Sequence, residues 1–158
     1  MSRKSNKWLC LIGLTVALVV AGCDRKTIYH HYEHTPLAGW ERGDTLFFTV
    51  KPVGQGTVVV RRAVELRTAD SYPFRALSLI VEQTVLPSCR TSRDTLDCPL
   101  VTPDGTVLGQ GITLYQYHFS LPDASLEEGD SLSLRVYHNM KRETLPGIAD
   151  IGIRLTAY

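Results

Sequence analysis

From Ser131 to Met140, Leu132, Leu134, Val136, His138 and Met140 fall on alternate positions, and Ser133, Arg135 and Tyr137 take the places between. A period of two places a set like this on one face only in a pleated strand; a helix would scatter it around its circumference. The same period recurs along most of the chain. Leu46, Phe48 and Val50 oppose Thr45, Phe47 and Thr49, and Leu77, Leu79, Val81 and Val85 oppose Ser78, Glu82 and Thr84, with Ile80 as the exception. Tyr115, Tyr117 and Phe119 share a face, and Ile151, Ile153 and Leu155 form the last such set. Val58 to Leu66 reads as a further strand, with Arg61 and Arg62 marking either a wet face or a bulge.

Turn signals separate these runs: Pro52 with Gly54 and Gly56, Asp70 to Pro73, Thr102-Pro103-Asp104-Gly105, and Glu128-Gly129-Asp130. No segment has a convincing helical period. Seven or eight short strands spaced this way predict an all-β fold, an antiparallel β-sandwich of Ig-like or jelly-roll-like type. At 158 residues the chain has room for one such domain.

The first residues follow a different logic. Arg3, Lys4 and Lys7 make a positive start, and Leu9 to Val20 is an apolar run of about a dozen residues, short of the ~20 that a membrane-spanning helix needs. Val20-Ala21-Gly22-Cys23 then resembles the lipobox of bacterial lipoproteins, in which a dedicated peptidase cuts before a lipidated cysteine. Residues 1–22 are therefore expected to be a lipoprotein signal peptide, Cys23 the lipidation site, residues 23–40 a tether and residues 41–158 the domain. Two or three acyl chains anchor durably where one alone is marginal.

Cys10 leaves with the signal, so Cys89 and Cys98 remain, in a compartment that permits disulfides. Pairing them is the simplest expectation, with Arg90 to Asp97 as a polar hairpin tip and a stabilisation of roughly 2.5 to 3 kcal/mol. A redox pair or metal ligands are the alternatives, but no Cys-x-x-Cys spacing supports them. A net charge of +1 gives no basic footprint, so nucleic acid is not the expected partner.

Candidate chemistry is sparse. His30-His31-Tyr32-Glu33-His34 contains the H-x-x-E-H order of inverted zinc peptidases, but it lies beside the anchor, and Thr35-Pro36 would stop a helix there. It is read as tether, with no metal site. His118 and His138 face the same way as apolar neighbours and read as core or rim histidines. No G-x-S-x-G elbow supplies a nucleophile. Gly105, Gly109, Gly111, Gly147 and Gly152 read as turns, bulges or close packing. Tyr115, Tyr117 and Trp40 are either core or a stacking platform for a sugar.

Several segments, taken in order, resemble the gliding motility-associated lipoprotein GldH family. They are Tyr72-Pro73-Phe74 with Leu77, Asp94-Thr95-Leu96, Asp104-Gly105 with Leu108-Gly109-Gln110-Gly111, His138-Asn139-Met140-Lys141, and Leu145-Pro146-Gly147-Ile148-Ala149-Asp150-Ile151-Gly152-Ile153. Ala76 and Val107 depart from the pattern, where the family would have Asn and an aromatic. The resemblance implies a lipid-anchored envelope lipoprotein of the gliding apparatus, whose components overlap with type IX secretion. It implies no catalytic residue and no cofactor beyond the lipid. The expected place is the outer membrane, facing the periplasm, with other envelope proteins as partners. Tyr72, Pro73, Phe74, Asn139, Leu145, Pro146 and Gly147 are the candidate interaction surface, because turn residues beside ordered strands are well placed for recognition. The rival is a carbohydrate- or polymer-binding lipoprotein of a nutrient-uptake complex.

Overall fold

The computed structural model describes residues 27–54 and 56–158, so the signal peptide and Cys23 lie outside the described residues. The described residues form ten strands: β1 (Thr27–His34), β2 (Trp40–Glu41), β3 (Leu46–Val50), β4 (Val58–Ala69), β5 (Ala76–Leu86), β6 (Arg90–Pro99), β7 (Leu114–Leu126), β8 (Ser131–His138), β9 (Thr144–Leu145) and β10 (Ile148–Ala157). Two four-stranded antiparallel sheets run β1-β10-β4-β7 and β3-β8-β5-β6, and β2 pairs with β9 as a short ribbon.

Among the eight long strands, first pairs with last, second with seventh, third with sixth and fourth with fifth. The chain is thus one long hairpin, folded at Pro87–Cys89 and rolled up, which is the jelly-roll form of the expected sandwich. Inward-facing Val64 and Leu66 of β4 and Ile151 and Ile153 of β10 are buried against Leu79 and Val81 of β5 and Leu134 and Val136 of β8.

The bulge suspected near Arg61 and Arg62 exists, and the extra residue belongs to the partner strand. Pairing runs from Val60 with Ala124 to Arg62 with Leu121, so β7 carries one residue more around Pro122–Asp123. Its buried set accordingly shifts from Tyr117 and Leu121 to Leu126. Arg62 then points between the sheets, only 5% exposed. Its Nε donates to the Pro122 carbonyl at 2.7 Å, its Nη1 to Gln83 Oε1 at 3.0 Å, and its Nη2 to Asp94 Oδ2 at 3.1 Å. A guanidinium with partners on three strands meets the requirement that a buried charge be paired and hydrogen-bonded.

Two expectations fail. Residues 27–40 are not tether: β1 pairs with β10 from Thr27 to His34, and Trp40 is fully buried. The domain therefore starts near Thr27. The Cys89–Cys98 disulfide does not form either; both thiols are free, one exposed and one buried. Arg90 to Asp97 is strand β6 and not a hairpin tip, so nine residue steps of about 3.3 Å place the two cysteines at opposite ends of the sandwich. A disulfide needs Cα atoms within about 7 Å.

Candidate interaction surface

All seven turn residues singled out from sequence collect at one pole, the end opposite Thr27 and Ala157. Trp40 faces Leu145 across the β2–β9 ribbon, and both are fully buried. The Trp40 indole donates to the Asp44 carbonyl at 3.1 Å and meets the His138 ring edge-on at 5.2 Å. Burial lowers the His138 pKa; the backbone of Trp40 and Glu143 lies close enough to offset this in part, though neither ring nitrogen completes a hydrogen bond. His138 is a neutral core residue.

Gly147 holds the corner together. Its φ is +83°, and a Cβ there would lie 2.8 Å from the Tyr72 nitrogen, so an L side chain would be both strained and blocked. Its N–H donates to the Leu37 carbonyl at 2.9 Å, and its own carbonyl accepts from Ala69 at 2.8 Å. Tyr72 packs edge-on against Phe74 at 5.5 Å and donates to the Ala76 carbonyl at 3.1 Å. Burial, with Cys98 nearby, pushes the Tyr72 phenol well above its ordinary range.

The seven residues divide accordingly. Leu145 and Gly147 are buried and determine the fold; Tyr72, Phe74 and Pro146 are half-buried; Pro73 and Asn139 are exposed. Exposed Arg142 places its guanidinium 6.0 Å from the Phe74 ring centre, and Arg42, Asn139, Met140 and Lys141 line a shallow depression beside it. The available surface is a small aromatic and aliphatic corner edged by cations.

A second cluster, missed from sequence, covers the outer face of the β1-β10-β4-β7 sheet. Tyr32, Gly152, Glu65 and His118 form one cross-strand row, and His34, Asp150, Arg67 and Gln116 form the next. Glu65 is 3% exposed and accepts from His30 Nε2 at 2.9 Å and from the Tyr32 hydroxyl, with His118 and Arg154 each at 3.6 Å. Burial works against its charge, but the bonds from Tyr32 and His30 prevail and hold the carboxyl below its ordinary range. Burial and the Glu65 contact push the Tyr32 phenol up to about 12. Arg67 lies over the Tyr32 ring at 4.0 Å and reaches Asp150 at 3.6 Å. The sequence signal was a glutamate in the middle of an apolar strand.

The zinc-peptidase pattern dissolves in this setting. On a strand, His30 and His34 share the outer face while Glu33 projects the other way, and the two histidines are occupied by Glu65 and Asp150. Among the described residues, no group of three or more His, Cys, Asp or Glu could hold a metal ion. His118 faces outward, more than half exposed, and not towards apolar neighbours as expected. The sugar platform fails as well, because Trp40 and Tyr117 are buried. Gly109 packs so closely over the Tyr117 ring that a Cβ would sit 2.6 Å from it.

The GldH lipoprotein family model matches residues 27–155. The gliding motility lipoprotein GldH of Flavobacterium johnsoniae is 31% identical over 157 residues, covering 90% of this chain and 92% of that protein. Among solved structures, a CocE/NonD family hydrolase from Staphylococcus aureus aligns with 84% of this chain at a TM-score of 0.41 and 12% identity, and this chain spans 33% of its length. The Eiger TNF of S. frugiperda aligns with 82% of this chain and 92% of its own at a TM-score of 0.34 and 14% identity. Likenesses at this level do not bear on activity.

Proposed function

The chain belongs to the GldH lipoprotein family, and from that premise we propose that it is a non-catalytic accessory component of the gliding motility and type IX secretion-associated envelope machinery. It is held by lipid on Cys23, faces the periplasm from the outer membrane, and acts by binding other envelope proteins, with no cofactor beyond the lipid. The observation that carries this reading is the convergence of the seven turn residues on one pole, where Pro73, Phe74 and Asn139 present a corner that buried Leu145 and Gly147 hold in place. Rigid turns on an ordered scaffold suit recognition.

The test is affinity capture of the tagged lipoprotein from cross-linked envelopes, beside a Cys23→Ala control and a Pro73→Glu/Asn139→Glu variant. Recovery of gliding or secretion components that falls in both variants is expected. Recovery of glycan-uptake proteins or polysaccharide, unchanged by the corner variant, would overturn the proposal.

A further inference from the structure

The pole opposite the corner carries its own pattern. Four residue steps separate Cys23 from Thr27, the first residue of β1, and even a fully extended chain spans only about 14 Å over that length. The end of the sandwich that carries Thr27 is therefore held beside whatever Cys23 is anchored in. That end also holds residues 51–54 and 56–57, the Pro87–Cys89 hairpin tip, the turn after β7 and the end of β10.

Apolar side chains are exposed there. Ile28 is the bulged residue of β1, 36% exposed, and Val59, Leu86 and Tyr158 are 41–61% exposed. Beside them an open cleft of ≈ 460 Å³ is lined by Ile28, Tyr29, Pro52, Val53, Val58 and Ala157, with Lys51 at its rim. Arg61 stacks 4.1 Å from the centre of the Tyr158 ring, whose hydroxyl donates to Asp123. Exposed Glu127 and Glu128 follow β7, at the opposite edge of the sheet from β1. An apolar patch with a tyrosine and long basic side chains around it matches a bilayer interface, where aromatic rings sit at headgroup level and cations extend to water.

We propose that this pole rests on the bilayer surface, with Ile28, Val59 and Tyr158 in the interfacial zone, so that the domain stands upright and carries the corner at its far end. The inference rests on the lipid-anchor reading of Cys23. β10 runs the full height of the sandwich, and ten residues at about 3.3 Å each hold the corner roughly 33 Å above the membrane.

Cys89 is an exposed native thiol at the proposed contact, so it serves as a probe site. The lipidated full chain is reconstituted in phosphatidylethanolamine/phosphatidylglycerol vesicles and labelled there with an environment-sensitive fluorophore. Quenching by headgroup spin-labelled lipid is then compared with the same label on Ser71→Cys at the corner pole, in a Cys89→Ser background. Quenching at Cys89 at least twofold stronger than at position 71 is expected, as is its loss in Ile28→Glu/Val59→Glu with vesicle flotation unchanged. Equal quenching at the two positions, or quenching that the glutamates leave intact, would overturn the contact. Failure of the parent chain to float would overturn the anchor reading and this inference with it.

Discussion

The ring of Tyr32 lies across the face of Gly152 and delivers its hydroxyl to Glu65, two strands away from its own. The missing side chain on β10 makes that reach available, and the contact ties an edge strand to the middle of the sheet. A Cβ on residue 152 would lie 2.7 Å from the Tyr32 ring. Gly152→Ala is expected to displace the ring and destabilise the domain by about 1–3 kcal/mol, read by urea denaturation. A variant as stable as the parent would show that the ring moves aside at no cost.

Arg62 is the charged link between the sheets. Arg62→Ala leaves Asp94, Gln83 and the bulge carbonyl of Pro122 without their donor. A loss of about 3–5 kcal/mol is expected, the range for breaking a buried ion pair. Arg62→Met combined with Gln83→Leu and Asp94→Asn should recover part of that loss, because no unpaired charge is then left at the site.

The two cysteines should behave as unequal thiols. Burial, with Asp97 beside it, pushes the Cys98 thiol up to about 12, and only the thiolate is nucleophilic. One thiol per chain is expected to react with a thiol reagent in the native state and two after unfolding. A reducing agent should leave Tm unchanged. A Tm that falls on reduction would restore the disulfide.

Stability should decline in mild acid because of His138. Its folded pKa lies below the usual 6.5, so as pH falls below 6.5 the unfolded state takes up the proton first. The contribution is complete above that pH and is lost between 6.5 and the folded pKa. Glu65, also depressed, adds a second loss below its usual 4.5. His138→Leu should flatten the first decline and leave the second, as followed by denaturation midpoints across pH 2 to 8.

The corner residues should separate into two groups. Leu145→Ala is expected to cost about 2–5 kcal/mol, as for other buried leucines. Asn139→Ala, on the surface, should change stability by less than about 0.5 kcal/mol while weakening partner capture. If both variants lose stability alike, Asn139 is a fold determinant and not part of the recognition surface.

The long inner strands were legible because each buries one face and leaves the other wet, so β5, β8 and β10 advertise their period. β1 was not, for the same reason: Tyr29, His31 and Glu33 alternate with His30, Tyr32 and His34, and neither set is aliphatic. An edge strand with polar residues on both faces reads as tether. β6 misled in a related way, since Arg90, Arg93, Asp94 and Asp97 look like a loop, although charge is what guards an exposed sheet edge. The corner was readable through Gly147 and Pro146, whose backbone demands are local. The Glu65 cluster was not, because its hydrogen-bond donors Tyr32 and His30 stand 33 and 35 positions upstream and only the sheet register brings them together.

The β1–β10 register has a mechanical consequence. β1 begins at the pole where its first residue, Thr27, lies four positions after Cys23, and runs away from that pole, paired with β10 from Thr27 to His34. A pull between the anchor and a partner at the far pole would act along the strand axis, perpendicular to its ladder of hydrogen bonds. The ladder would then be loaded in shear, every rung sharing the force, instead of being peeled open one rung at a time. In the proposed role, that geometry would make the attachment strand act as a cable rather than a zipper.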